Sequence, residues 1–462
     1  MNGSDPLGEE PRPRAARRRN PARALVLGLL GAVALGTLLL RLPVAHAPGH
    51  ALDGLAALFT ATSALCVTGL VVVDTGTALS PFGQAVVLLL IKTGGLGVLS
   101  LGALIALATG RRMGFGERQR LQAQVGAQRV GGVVRFVRAL LAYTTTVEIV
   151  GALALWPRLA RDEGLWSGAW SALFHAVSAF NNAGFSLYRD SLRAFADDPW
   201  IAGVTLTLLA LGGIGLVVVV DVAARAGLGT AGDGRRRHLT LHTRLALSAT
   251  LALALAGTAA LAALEWRNPD GLGAIAPRDR PLAALFQALT PRTAGFEVVD
   301  VGAYRTPSQL VTMALMLVGG NPGSTAGGIK TTTLAVLLLA ALALARGRER
   351  VTAFGRTLAN ETITKAAVIA TLALLAIGMA ATALTLTEPT LPPLTLAFEA
   401  VSAFGTVGLS LGATAELSAA GRVIVIVTML AGRLGLLTVA LALAADATRP
   451  AARFPNEDVI VG

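Results

Sequence analysis

Apolar residues run through this chain in long unbroken blocks rather than in alternation. Residues 24–42 and 204–220 form two such blocks. A helix needs ~20 apolar residues to cross the ~30 Å hydrocarbon core of a bilayer, so the pattern predicts several spanning helices. Shorter apolar stretches lie between the long ones, for example 55–65 and 281–289. These are too short to span and are predicted to be re-entrant helices that dip in and out from one side.

The order long–short–glycine–long recurs four times. Phe59, Phe174, Phe286 and Phe398 stand in aligned short stretches and precede Gly69, Gly184, Gly295 and Gly408 by 10, 10, 9 and 10 residues. The four glycines are 115, 111 and 113 residues apart. Both spacings holding together mark a true internal repeat, which governs the fold. The expected architecture is all-α and membrane-integral: four tandem helix–pore loop–helix units with pseudo-fourfold symmetry around a central pore, giving eight spanning helices. The units are placed at 24–110, 136–223, 240–345 and 362–446. A basic cytosolic N-terminus (1–23) and a cytosolic tail (447–462) flank them.

Backbone without regular hydrogen bonding is tolerated at membrane depth only where it is buried in protein or lines water. Four such segments meeting on one axis can replace a cation's hydration shell with carbonyl oxygens, as potassium-channel filters of sequence Thr-Val-Gly-Tyr-Gly do. The candidate filter segments are Cys66-Val67-Thr68-Gly69, Asn181-Asn182-Ala183-Gly184, Arg292-Thr293-Ala294-Gly295 and Gly405-Thr406-Val407-Gly408. The last reproduces the first three letters of the potassium-channel motif. Glycine suits these positions because it carries no Cβ penalty when the backbone turns its carbonyls to one side. Glycine in all four loops points to potassium. Each pore helix aims its negative C-terminal dipole end at the axis, which favours a cation. Asp74 and Asp300 follow their glycines by five residues; they either concentrate cations at the mouth or are ordinary solvated loop.

Composition agrees with a membrane protein. The 462 residues are 54% hydrophobic and 14% charged, against roughly 25% charged in soluble domains. The net charge of +12 sits at the ends of apolar runs without aromatic interleaving, which argues against nucleic acid. Basic residues fill the N-terminus and the segments around Arg118, Arg236 and Arg348, whereas the opposite loops lean acidic. The asymmetry places both termini inside. The N-terminal pattern with Ala45-His46-Ala47 also resembles a cleavable signal peptide; the repeat requires an uncleaved helix. Cys66 is the single cysteine, so no intramolecular disulfide forms. No metal-ligand cluster or nucleophile–base set is evident, so an enzyme is not expected, and no organic cofactor. His175 reads as a packing or capping residue. Glu399, on the fourth short stretch, is a candidate hydrogen-bond partner of filter backbone.

The apolar segment 313–344 is interrupted by Gly319, Gly320, Asn321, Pro322, Gly323, Ser324, Thr325, Gly327 and Gly328. So many glycines and a proline break a helix. Broken backbone at that depth lines the pore; a packing kink is the other reading. The stretch 323–331 looks like a phosphate-binding loop, but Ile329 separates Gly328 from Lys330 and no strand precedes it. Residues 227–232 spell G-x-G-x-x-G without a βαβ unit around them and read as linker. Arg433 lies inside the last apolar run, where a charge costs ~2.5–3.5 kcal/mol on insertion scales and therefore faces protein or water. A structural ion pair is its alternative role; for Lys330 the alternative is snorkelling to the inner surface.

With these residues in view, the chain resembles the TrkH/KtrB superfamily of microbial potassium uptake proteins from about residue 24 to the end. The resemblance also rests on Lys92-Thr93-Gly94-Gly95-Leu96-Gly97, on 211–215, on 319–333 and on Gly432-Arg433-Leu434-Gly435. Members on the TrkH side usually carry two extra N-terminal helices; this chain starts with the first unit and is similar to the KtrB side, as is its tail 454–462. One departure is Leu436, where the family commonly has proline. The resemblance implies potassium uptake across a bacterial cytoplasmic membrane, with dependence on sodium in the family. It implies that the broken segment obstructs the pore beneath the filter, with Arg433 in the pore beside it. It further implies a homodimer and gating by a separate cytosolic ring of nucleotide-binding RCK-type subunits. An alternating-access transporter is the competing class; such folds carry two-part repeats, not four.

Overall fold

The computed structural model describes residues 21–97, 133–226 and 238–435. The segments around Arg118 and Arg236, the 227–232 glycines, the 447–462 tail and Leu436 lie outside the described residues. Fourteen helices of ten or more residues carry the fold. The first group is α1 (Pro21–Leu40), α2 (Gly54–Cys66) and α3 (Pro81–Leu96). The second is α4 (Val133–Glu163), α5 (Leu165–Phe180), α6 (Pro199–Ile214) and α7 (Leu216–Arg225). The third is α8 (Leu241–Glu265), α9 (Arg280–Leu289), α10 (Thr306–Met316) and α11 (Thr331–Ala345). The last is α12 (Asn360–Thr387), α13 (Pro393–Gly405) and α14 (Ala419–Leu434). A two-stranded hairpin, β1 (Thr352–Ala353) and β2 (Arg356–Thr357), joins the third group to the fourth.

Helix starts are written locally. Asp53 caps α2 by accepting from Ala56 N at 2.5 Å, and Ser80 caps α3 with Pro81 at its first position. Asp198 caps α6 ahead of Pro199, and Ser418 caps α14. Each side chain satisfies an N–H that has no partner within its helix.

Burial runs opposite to the pattern of length. Among the described residues, three helices are long and apolar enough to cross a bilayer: Arg138–Glu163 within α4, then α8 and α12. Only 22–28% of each apolar window is buried, and Leu153, Leu255 and Leu374 point outward. That is the signature of lipid-facing helices. The core instead surrounds the short helices α2, α5, α9 and α13. Phe59, Phe174, Phe286 and Phe398, the repeated aromatic of each, are fully buried.

The second helices cross the short ones with no side chain between them. A Cβ on Gly94, Gly212 or Gly432 would collide with Leu65 O, Phe180 O or Phe404 O. Each of these carbonyls lies four residues before its loop glycine, so the crossing point repeats three times. Three residues later the helix stops at Gly97, Gly215 or Gly435, each with positive φ (81°, 85° and 76°). At Gly215 the α6–α7 pair bends by 94°. The apolar block 204–220, expected to be one span, is therefore a broken pair. Its hydrophobicity continues across the break, which only the positive-φ glycine discloses.

Gly212→Val is expected to cost about 2–3 kcal/mol, the usual penalty of overpacking, because its obstacle is backbone. Gly203→Ala, whose Cβ has no atom within 4 Å, is expected to stay within about 0.5 kcal/mol of the parent. Thermal unfolding in detergent measures both; equal melting of the two variants contradicts the close crossing.

Candidate functional site

The four loops after α2, α5, α9 and α13 fold alike. Two residues before each glycine the backbone is left-handed, at Val67 (φ 58°), Asn182 (58°), Thr293 (70°) and Thr406 (52°). The glycines themselves have φ of 92°, 69°, 71° and 96°. The residue between donates its N–H into the short helix. Thr68 N reaches Ser63 O, Ala183 N reaches Ser178 O and Ala294 N reaches Thr290 O, each at 2.8 Å, and Val407 N reaches Ser402 O at 2.9 Å. Left-handed non-glycine residues cost roughly 1–2 kcal/mol each, and four in equivalent places is strain held by the surrounding fold. Alternating left-handed residues undo the two-sided alternation of an extended strand, so carbonyls can face one side.

A hydroxyl four residues after each phenylalanine grips the loop. Ser63 Oγ accepts from Gly69 N at 3.1 Å and Ser402 Oγ accepts from Gly408 N at 3.2 Å. Ser178 Oγ donates to Phe185 O at 2.7 Å and Thr290 Oγ1 donates to Phe296 O at 2.6 Å. Sequence reading passed over these four, although their alignment with the phenylalanines was visible.

The glycines close a ring. A Cβ built on Gly69 would lie 3.0 Å from Gly184 Cα; on Gly184, 3.0 Å from Gly295 Cα; on Gly295, 3.3 Å from Gly408 Cα; on Gly408, 3.1 Å from Gly69 Cα. The proposed filter residues of all four loops are thus together, in cyclic order, with no room for a side chain between neighbours. Of the residues at the root of each loop, Cys66 is buried, Arg292 is buried and reaches Thr250 Oγ1 at 3.4 Å, and Gly405 packs on Met316 O at 2.7 Å from its would-be Cβ.

Below the ring lies the break between α10 and α11. Gly319 N donates to Ile329 O at 2.9 Å, closing the loop on itself. Asn321 is its anchor: its N–H donates to Gly213 O at 3.0 Å, its amide to Ile214 O at 3.1 Å, and its Oδ1 accepts from Thr250 at 3.1 Å and from Thr331. The loop touches the ring from beneath: a Cβ on Gly327 would collide with Thr406 Oγ1, and one on Gly319 would lie 3.2 Å from Thr293 Cγ2. Arg433 donates to Thr325 O at 2.6 Å and to Gly94 O. Among the described residues its partners are therefore carbonyls of two separate elements rather than the carboxylate of a structural ion pair. Lys330 donates to Ala326 O at 2.5 Å and does not snorkel away. Pro322, Gly323, Ser324, Gly328 and these two cations line a cavity of about 440 Å³.

On the opposite, mouth side a space of about 530 Å³ opens above the glycines. Arg193 spans it, pairing with Glu297 at 2.6 Å and Asp300 at 2.9 Å. Asp300 is thereby ion-paired, and Asp74 caps a short turn through Thr77 N at 2.8 Å; both still line the mouth. Burial lifts the Glu297 carboxyl from its ordinary 4.5 to about 7, with Arg193 opposing the rise. His175 braces the outgoing arm of its loop, through Ser171 O at 2.7 Å and Ser186 Oγ at 3.0 Å. Glu399, at the equivalent place, accepts from Thr414 Oγ1 at 2.7 Å and from Ser410. Its side-chain partners are these hydroxyls of the outgoing arm, not the filter backbone anticipated from sequence, because the arm folds back over the helix.

A helical membrane protein whose four short helices present strained loops to one shared ring is a cation-transport architecture. The chain belongs to the TrkH family of cation transport proteins, whose pattern matches residues 34–450. It is 39% identical over 445 residues to Ktr system potassium uptake protein B of Bacillus subtilis, covering 96% of this chain and 97% of that one. It is 34% identical over 454 residues to potassium/sodium uptake protein NtpJ of Enterococcus hirae, covering 97% and 99%. Its fold is similar to the crystal structure of the potassium transporter TrkH from Vibrio parahaemolyticus, with a TM-score of 0.72 at 20% identity over 94% of this chain and 87% of that chain.

Because Glu297 titrates higher in the folded chain than in the unfolded one, the folded state binds the extra proton between pH 4.5 and about 7. Its contribution to stability is complete below 4.5 and is lost as pH rises through 7. Glu297→Gln is expected to flatten that part of the stability–pH curve; identical slopes for parent and variant in detergent melts rule the assignment out.

Proposed function

We propose that the chain is the ion-conducting membrane subunit of a potassium uptake system. The observation that carries this reading is the closed ring of Gly69, Gly184, Gly295 and Gly408. In this reading the four loops form the selectivity filter: Val67, Thr68, Asn182, Ala183, Thr293, Ala294, Thr406 and Val407 supply carbonyls, and the glycines let them approach the ion. Oxygens fixed by the strained loops replace the hydration shell without a cost of reorganisation on entry. The C-terminal ends of α2, α5, α9 and α13 add negative potential at the same point.

The four helix groups are four repeats, giving eight spans around one pore in the bacterial cytoplasmic membrane, with both termini cytoplasmic and the mouth outside. The broken segment 317–330 is the gate. It fills the path beneath the filter, and Arg433 adds a fixed positive charge that repels a cation there. Clearing it requires breaking the Asn321 anchor and the Arg433 bonds, which a cytosolic partner could drive. The name of the Ktr relative, a system component, supports such a partner; an RCK-type ring and a homodimer follow from the family resemblance. The potassium/sodium relative supports sodium as a second ion. An alternating-access transporter is the alternative, and the 94° break at Gly215 is its best support; one ring shared by four loops favours the channel-like path.

Expression in cells lacking potassium uptake is expected to restore growth at low potassium, and Gly69→Ser to lower potassium-over-sodium preference. Failure to restore growth, or a preference unmoved by the serine, would remove the filter reading. Deleting residues 323–328 is expected to raise flux in the absence of any partner; unaltered basal flux counts against the gate.

A further inference from the structure

Behind the second loop lies a charged pair that the filter and gate do not use. Lys92 on α3 and Glu148 on α4 meet at 2.5 Å, with side chains 22% and 4% exposed. Lys92 also donates to Thr144 Oγ1 at 3.1 Å. The second Glu148 oxygen accepts from Asn181 Nδ2 at 2.8 Å, and the same amide donates to Val177 O at 2.8 Å. Asn181 ends α5 and immediately precedes the left-handed Asn182. From its other side Gly95 presses on it, since a Cβ there would collide with Asn181 Oδ1.

A buried ion pair is a poor way to gain stability, because desolvating two charges offsets most of their attraction. Its neutral sum is tolerable at membrane depth, but an apolar pair would serve packing as well. What the pair does here is aim a third group. It fixes the Asn181 amide, and with it the rotation of the last turn of α5, from which residues 182–184 depart. The equivalent positions in the other loops are Cys66, Arg292 and Gly405, and among the described residues none of them is held by a carboxylate. Among the described residues, the second loop is thus the one whose root is braced by a carboxylate, and the brace comes partly from the preceding helix group.

We propose that Glu148, neutralised by Lys92, is a positioning residue for the second loop and sets the discrimination between potassium and sodium through Asn181. The proposal rests on the four-loop filter reading. A filter selects by holding its oxygens to within fractions of an ångström, so a loosened root changes the ratio of fluxes and not merely their size. Removing Glu148 frees the amide. Removing Lys92 alone takes the counter-charge from a buried carboxyl, which then takes up a proton; only at alkaline pH does it stand as a bare carboxylate behind the cavity wall, where it draws the amide and passing cations.

The test uses the full chain reconstituted in lipid vesicles, with potassium and sodium tracer fluxes measured for each variant. Glu148→Leu is expected to lower the potassium-over-sodium ratio about fivefold, the size of coupling usual for residues in direct contact. With fluxes read at alkaline pH, where the carboxyl is charged, Lys92→Met is expected to lower it as well, and Lys92→Met/Glu148→Gln to regain most of the loss, since the amide oxygen still accepts from Asn181 with no charge left over. If Glu148→Leu does not reach the membrane, the Lys92→Met variant and the double variant decide alone. A ratio equal to the parent's in Glu148→Leu, or the same ratio in Lys92→Met and the double variant, overturns the proposal. Gly184→Ser in the same vesicles separates the two readings. If it lowers the ratio while the Glu148 and Lys92 variants do not, the brace fails and the filter stands; if it too leaves the ratio unchanged, the filter reading itself fails.

Discussion

The structure depends on one demand: four irregular loops must meet in one ring inside a membrane protein, glycine against glycine. Lipid offers no hydrogen bonds, so irregular backbone there must be enclosed by protein. Convergence leaves no room for Cβ atoms, hence the glycines. The left-handed residue two places earlier in each loop is the strained consequence, and the hydroxyl from the short helix is what holds it.

The rest of the molecule supplies that enclosure. The short helices carry the buried phenylalanines and bring their C-termini to the ring. The second helices close the sides through glycine crossings on Leu65 O, Phe180 O and Phe404 O. In the third group the crossing is replaced by the loop 317–330, so one quadrant differs from the other three. That asymmetry puts an irregular segment, anchored on Asn321, directly beneath the ring. The long helices take the lipid contact, which explains why the most apolar segments are the least buried.

Charge inside the protein follows the same division. Arg433 and Lys330 are satisfied by backbone carbonyls and face a cavity, whereas Lys92 and Glu148 neutralise each other behind its wall. On the mouth side Arg193 ties the second and third loops through Glu297 and Asp300. The second loop is therefore held by charge both above and below, while the outgoing arm of the fourth is held by Glu399.

The sequence by itself determined the membrane class, the four loop glycines with their spacing and the broken segment in the third group. These are legible because each is a local requirement. A spanning helix must be apolar over its length, and a position too close to a neighbour must lack a side chain. The tertiary structure alone decided which distant groups meet. Glu148 and Asn181 are 33 residues apart, Lys92 and Glu148 56, and Arg433 and Gly94 339. It also decided that Glu399 serves the outgoing arm and that an unbroken apolar block bends at Gly215. A hydrogen bond or ion pair depends on geometry between separate elements, and no spacing along the chain encodes that.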